Sequence, residues 1–235
     1  MRIGVISDLH GNAVALEAVL SDMPDVDGLV CAGDVVGYNP WHDECVETVR
    51  DREVPTVMGN HDRAVAGETN FSFNSMAGAG VRHASETLTE DQIEWLGGLP
   101  DERLACDGRV KLVHGHPDNP DRYTYPAEFA PDLLGEEDVL VMGHTHVQGH
   151  ERYEDGVVMN PGSVGQPRDG DPRAAYAVLD LDFRTPCRVR HRTRRQGGPE
   201  GGSPRPHRHS SPGWAVVAAP RGQDAARTDG HPIFM

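Results

Sequence analysis

Up to residue 182, short apolar runs alternate with stretches whose apolar residues recur at helical spacing. Residues 3–6, Ile-Gly-Val-Ile, predict a buried strand, and residues 12–23 a helix, with Val14, Leu16, Val19, Leu20 and Met23 as its apolar stripe and Asn12 as its cap. Residues 29–32 predict the next strand, 41–52 the next helix and 56–58 a third strand. Further strands are expected at 110–113, 139–142, 157–159 and 175–181, with a short helix over 88–96 after a cap at Thr87. Strands alternating with helices build a sheet covered on both faces. The expected fold is therefore α/β, with two layers of sheet flanked by helices. Residues 67–82, rich in Gly, Asn and Ser around Phe71 and Phe73, read as a loop or broken helix near the active face.

The pattern stops after Asp182. Residues 183–235 hold seven Pro, seven Gly and ten Arg, with apolar residues gathered only at 214–219, and a chain of that composition cannot bury enough surface to offset its ordering entropy. A catalytic domain over 1–182 and a disordered basic tail over 183–235 are expected, with a weak strand at 187–193 as the exception. Charge divides at the same place. The tail has ten Arg against three acids, +7, and the remainder twelve bases against thirty-four acids, −22, which together give the net −15. So abrupt a change is also what a shifted reading frame in a GC-rich gene would produce.

An acidic body repels long nucleic acid. Its one lysine, Lys111, among so many carboxylates suits a high-salt, halophilic cytoplasm. No apolar run of about 18 residues is present and the first residues do not form a signal peptide, so a cytoplasmic protein without a membrane partner is expected. Cys31, Cys45, Cys106 and Cys187 are scattered singly, which suits reduced thiols.

Five polar clusters each follow a predicted strand: Asp8-Leu9-His10, Gly33-Asp34, Gly59-Asn60-His61-Asp62, His114-Gly115-His116 and Gly143-His144-Thr145-His146. Carboxyl ends of strands are where α/β sheets place their sites. Carboxylate oxygen and imidazole nitrogen together suit borderline divalent metals. Residues one apart, such as Asp8 with His10 and His144 with His146, point to one side of an extended segment. Taken singly, each cluster reads equally well as a cap, a turn or a surface histidine, and His116 and His150 are expected on the surface. Their conjunction in one order argues for chemistry.

In that order the clusters resemble the calcineurin-like metallophosphoesterases. Residues 33–38, Gly-Asp-Val-Val-Gly-Tyr, and 160–167, Asn-Pro-Gly-Ser-Val-Gly-Gln-Pro, further resemble the small prokaryotic YfcE-like branch and a related diadenosine polyphosphate hydrolase group. The resemblance implies a four-layer α/β/β/α fold and two divalent ions, manganese first, with iron, nickel, cobalt or zinc as alternatives. Asp8, His10 and His146 would hold one ion, Asn60, His114 and His144 the other, and Asp34 both. A hydroxide bridging the ions would attack phosphorus, while His61, its ring oriented by Asp62, stabilises charge and protonates the leaving oxygen. Arg168, Tyr123 and Tyr125 are candidate substrate contacts. The structural alternatives are that Arg168 pairs with Asp169 or Asp171 and that the tyrosines pack.

The expected activity is hydrolysis of small phosphodiesters or nucleotide-like phosphoanhydrides. A phosphomonoesterase of small metabolites and a non-catalytic scaffold are the competing readings. Relatives continue past the 175–181 strand with another strand and a helix. Residues 183–235 lack that pattern, so the open sheet edge points to homodimerisation.

Overall fold

The computed structural model describes residues 1–67, 73–181 and the backbone of a strand at Arg188–Arg194. The chain begins with β1 (Arg2–Ile6), α1 (Ala13–Asp22), β2 (Gly28–Cys31) and α2 (His42–Asp51). Three helices follow, α3 (Asn60–Val65), α4 (Ser75–Thr87) and α5 (Glu90–Gly97). Then come β3 (Glu102–Ala105), β4 (Val110–Val113), β5 (Val139–Val141), β6 (Gly149–Arg152), β7 (Val157–Asn160), β8 (Ala174–Asp180) and β9 (Arg188–Arg194). One sheet runs β2-β1-β8-β9 and the other β3-β4-β5-β7-β6.

Side-chain alternation along β8 shows how the layers assemble. Ala174, Tyr176 and Val178 face a helix-side cluster with Leu16, Val19, Val46, Ala84 and Leu96, while Ala177, Leu179 and Leu181 face a cluster with Leu112, Val141 and Met159 of the second sheet. A period of two therefore splits one apolar strand between two cores. The outer face of the second sheet, Val113, Leu140, Met142 and Val158, packs with Phe129, Leu133 and Leu134 around the 3₁₀ turns Pro126–Glu128 and Pro131–Leu133. The result is the expected mixed α/β fold of two sheets flanked by helices, the outermost layer being these short turns. Leu179 is fully buried between the sheets. Leu179→Ala is expected to lower stability by about 2–5 kcal/mol, read as a reduced denaturant midpoint at unchanged slope.

Several elements differ from the sequence reading. The 56–58 segment is a single parallel bridge, Cys31 to Thr56, with Val57 N donating to Cys31 O, and not a full strand. Residues 75–82 of the segment read as a loop or broken helix at 67–82 fall in α4, capped by Asn74, whose side chain accepts from Met76 N and Ala77 N, while 68–72 lie outside the described residues. The cap expected at Thr87 closes α4 instead; the helix expected at 88–96 begins after Thr89, in a capping box with Gln92. β3 and β6 are additional edge strands.

β9 pairs antiparallel with β8 from Ala174↔Arg194 to Asp180↔Arg188, so β8 is not an open edge and the argument for dimerisation through it falls away. The rest of the segment expected to be disordered lies outside the described residues. Cys31, Cys45 and Cys106 are buried free thiols, and Cys187 lies outside the described residues. Among the described residues no helix is long and apolar enough to cross a membrane.

Candidate active site

Four of the five polar clusters follow strand ends, and the fifth, at 59–62, follows the Cys31–Thr56 bridge. Five of the seven expected ligands have positive φ: Asp8 53°, His10 49°, Asp34 53°, His144 65° and His146 59°. They thus sit in left-handed bends, a conformation that costs energy outside glycine and concentrates at functional sites. The alternation of an extended chain is therefore not what brings Asp8 beside His10. Hydrogen bonds fix the bends: Asp8 N donates to Gly33 O, His10 N to Asp34 O, and Gly165 N to Asp8 O.

The ligand atoms of Asp8, His10, Asp34 and His146 lie within 4.8 Å of one another, all buried. Their tautomers define what the cluster needs. His10 Nδ1 meets Val36 O at 3.1 Å and His146 Nδ1 meets Gln166 O at 2.6 Å. A carbonyl only accepts, so each Nδ1 carries a proton and each ring turns its Nε2 inward. Those two Nε2 atoms face each other at 3.0 Å, with Asp8 Oδ1 3.1 Å from His146 Nε2 and Asp34 Oδ2 3.6 Å from His10 Nε2.

The neighbouring group repeats the logic. His114 Nδ1 donates to Ala32 O at 2.7 Å, turning Nε2 towards Asn60 Oδ1 at 3.2 Å and Asp34 Oδ2 at 3.4 Å. Buried carboxylate oxygens and inward-turned imidazole Nε2 atoms converging in this way form a donor set that fits divalent cations, which bind oxygen and imidazole together. His144 has its ring 4.9 Å from that of His114, and its Nε2 meets Asp121 O at 3.3 Å, which leaves Nδ1 as its lone-pair nitrogen.

The electrostatics point the same way. Burial opposes ionisation of Asp34, but His114 and His61 outweigh it and hold the carboxyl well below its ordinary value. Burial also opposes the charge on His114, and Asp34 overrides it, raising that imidazole to about 10. His10 is pushed well below its ordinary value by burial, and His144 to about 4 by burial and then His114. The cluster accommodates positive charge only where Asp34 can face it.

A cleft of about 260 Å³ opens over this floor, lined among others by Asp34, Asn60, His61, His144, His146, Tyr38, Phe73, Tyr123 and Arg168. The His61 ring sits 4.8 Å from that of His10, and burial lowers its pKa. Among the described residues its buried Nδ1, against Gly37, has no hydrogen-bond partner, so Nε2 is the nitrogen the cleft can use. Its backbone N–H donates to Asp34 Oδ1 at 2.8 Å.

The calcineurin-like phosphoesterase superfamily domain matches residues 1–184. The chain belongs to that superfamily. It is 33% identical over 205 residues to an uncharacterised protein of Methanocaldococcus jannaschii, covering 77% of this chain and 84% of the relative. To the phosphodiesterase YfcE of Escherichia coli K12 it is 30% identical over 186 residues, covering 77% and 89%. The crystal structure of a metallophosphoesterase from Sphaerobacter thermophilus superposes with a TM-score of 0.72 at 36% identity, covering 84% of this chain and 89% of that one. The protein is accordingly a phosphoesterase of a metal-dependent family, and its buried Asp/His cluster is a candidate metal site.

In this phosphoesterase two glycines are sterically required. A Cβ on Gly59 would lie 2.0 Å from Asp34 Oδ1, and one on Gly143 would lie 2.2 Å from Ser7 Oγ. Asn160 ties down the 143–146 turn, its Nδ2 donating to Gly143 O at 2.6 Å and to Thr145 Oγ1 at 3.0 Å. Ser163 Oγ donates to Asp8 O at 2.8 Å, so the 160–167 segment props up the site from outside the cleft.

Asp62 does not orient the His61 ring. It accepts from Gly59 N at 3.0 Å and Val36 N at 3.2 Å, with its pKa raised to about 7 by burial and then by Asp34, and so it braces α3 against the 33–37 turn. Arg168 pairs with neither Asp169 nor Asp171; the latter binds Arg173. Tyr123 lines the cleft with its ring 4.0 Å from that of His144, while Tyr125 stacks behind it at 6.2 Å. His116 is buried, its Nδ1 accepting from Asp118 N, and is not a surface residue. The cleft residues not singled out as site residues in the sequence are Tyr38, whose signal was its place in the 33–38 motif, and Asn74 and Ala77, which had none.

Proposed function

We propose that the protein is a dinuclear-metal phosphoesterase that hydrolyses small phosphodiesters or nucleotide-like phosphoanhydrides. The observation that carries this is the convergence of inward-facing imidazole nitrogens and carboxylate oxygens beneath a cleft whose mouth holds an arginine and a tyrosine. Asp8, His10 and His146 would hold one ion, and Asn60, His114 and His144 the other, with Asp34 between them. Two divalent ions, manganese first, would supply positive charge against the phosphate oxygens and would acidify water for attack on phosphorus.

The chain's own residues do the rest. A phosphate in the cleft brings negative charge to His61, which favours its protonated form, and Nε2 then delivers that proton to the leaving oxygen. The left-handed bends hold the ligands in place before substrate arrives. The cleft, at about 260 Å³, falls just below the usual size range for small-molecule sites, which suits a small ester rather than a polymer. The acidic body likewise disfavours duplex nucleic acid.

A diester preference is supported by the E. coli relative described as a phosphodiesterase. With manganese in high salt, bis-p-nitrophenyl phosphate is expected to turn over about tenfold or more faster than p-nitrophenyl phosphate at equal concentration. Faster monoester turnover would move the assignment to a phosphomonoesterase. No turnover of either ester by folded, metal-loaded protein would favour a binding scaffold.

A further inference from the structure

Tyr38 has φ +55°, a conformation that a bulky residue keeps only when its surroundings enforce it. Two contacts do so. Gly80 of α4 lies against its backbone, where a Cβ would come 2.2 Å from Tyr38 N. The Tyr38 ring meets His10 edge-on with centroids 4.8 Å apart, and His61 at 4.9 Å.

The phenol hydroxyl is thereby fixed at the cleft, where it accepts from Arg168 Nη2 at 3.1 Å, the guanidinium carbon lying 5.9 Å from the ring centroid. Gln166 Oε1 accepts from Arg168 Nη2 at 2.7 Å and Nε at 3.2 Å, and the Gln166 carbonyl takes His146 Nδ1. Both partners of the guanidinium are neutral. Among the described residues Arg168 forms no ion pair and its Nη1 makes no hydrogen bond, although the body around it is strongly acidic. An oriented, uncompensated guanidinium presents its fork to a phosphate.

We infer that Tyr38 is a positioning residue that holds Arg168 over the cleft to bind a second phosphate of the substrate, beyond the phosphorus under attack. This rests on the reading of the cleft as a phosphoester site and narrows the substrate to molecules with at least two linked phosphates, such as nucleoside diphosphate derivatives. Tyr38 acts through Arg168, whereas Arg168 touches the substrate.

The test is calorimetric titration of manganese-loaded protein with AMP and with ADP, which share a base and differ by one phosphate. Wild type is expected to bind ADP about tenfold more tightly than AMP, the worth of one charge-assisted contact. Arg168→Gln removes the difference. Tyr38→Phe, which keeps the ring and its packing, reduces it to roughly threefold, consistent with loss of one hydrogen bond. A role for Tyr38 in packing alone would leave the tenfold difference unchanged in Tyr38→Phe and overturn the inference. So would a difference that survives Arg168→Gln, or a wild type that binds neither nucleotide or both alike. Turnover of bis-p-nitrophenyl phosphate, followed in parallel, reads the hydrolase assignment separately: an intact ADP–AMP difference without turnover would sink that assignment and keep the Arg168 anchor.

Discussion

Asp34→Asn is expected to lower kcat by about 10³-fold or more and to reduce the metal retained by the purified protein, with the fold unchanged. The side chain is buried, its Oδ2 faces His10 at 3.6 Å and His114 at 3.4 Å, and its Oδ1 accepts from His61 N. Asparagine matches the shape but removes the charge on which the surrounding imidazoles depend, and its amide N–H groups are a poor substitute for a carboxylate between two cations. Metals contribute several kcal/mol to such reactions, and each 1.36 kcal/mol is tenfold in rate. The check is steady-state turnover of the diester with manganese, alongside metal analysis and circular dichroism. Activity within tenfold of wild type would remove Asp34 from its shared position.

His61→Ala is expected to cost about 10²- to 10⁴-fold in kcat, the usual range for a lost proton donor, while metal content stays at the wild-type level. The two readouts separate because the link from α3 to Asp34 is made by the backbone N–H of residue 61, which alanine keeps. The ring itself contacts His10, Tyr38 and Phe73 and, among the described residues, has no hydrogen-bond partner at Nδ1. Loss of metal together with activity would instead make His61 a ligand.

Where apolar runs end in polar clusters, the sequence was informative. β1, β2, β4, β5 and β7 are short, largely buried and mostly apolar, and the clusters behind four of them supply Asp8, Asp34, His114 and His144. Their assembly into one site was legible only through the order of the motifs, because the left-handed bends that aim the side chains leave no mark in hydrophobic periodicity. α4 escaped notice because its packing side is built from small residues, Ala77, Gly80 and Ala84, with Gly80 chosen for its fit against Tyr38 and not for helix propensity. β3 and β6 are mostly exposed edge strands, so neither shows the alternation that announces a half-buried strand. The role of Asp62 was misjudged because adjacency to His61 says nothing about direction: on α3 its carboxylate turns back to cap the helix it belongs to.

The central claim is that this cluster holds two ions with Asp34 between them, and metal stoichiometry tests it most directly. Protein stripped with chelator, reloaded with manganese and desalted should carry two ions per chain by elemental analysis, with the coupled electron paramagnetic resonance signal of a bridged pair. A single ion per chain with an uncoupled signal, in protein that still hydrolyses the diester, would contradict the account.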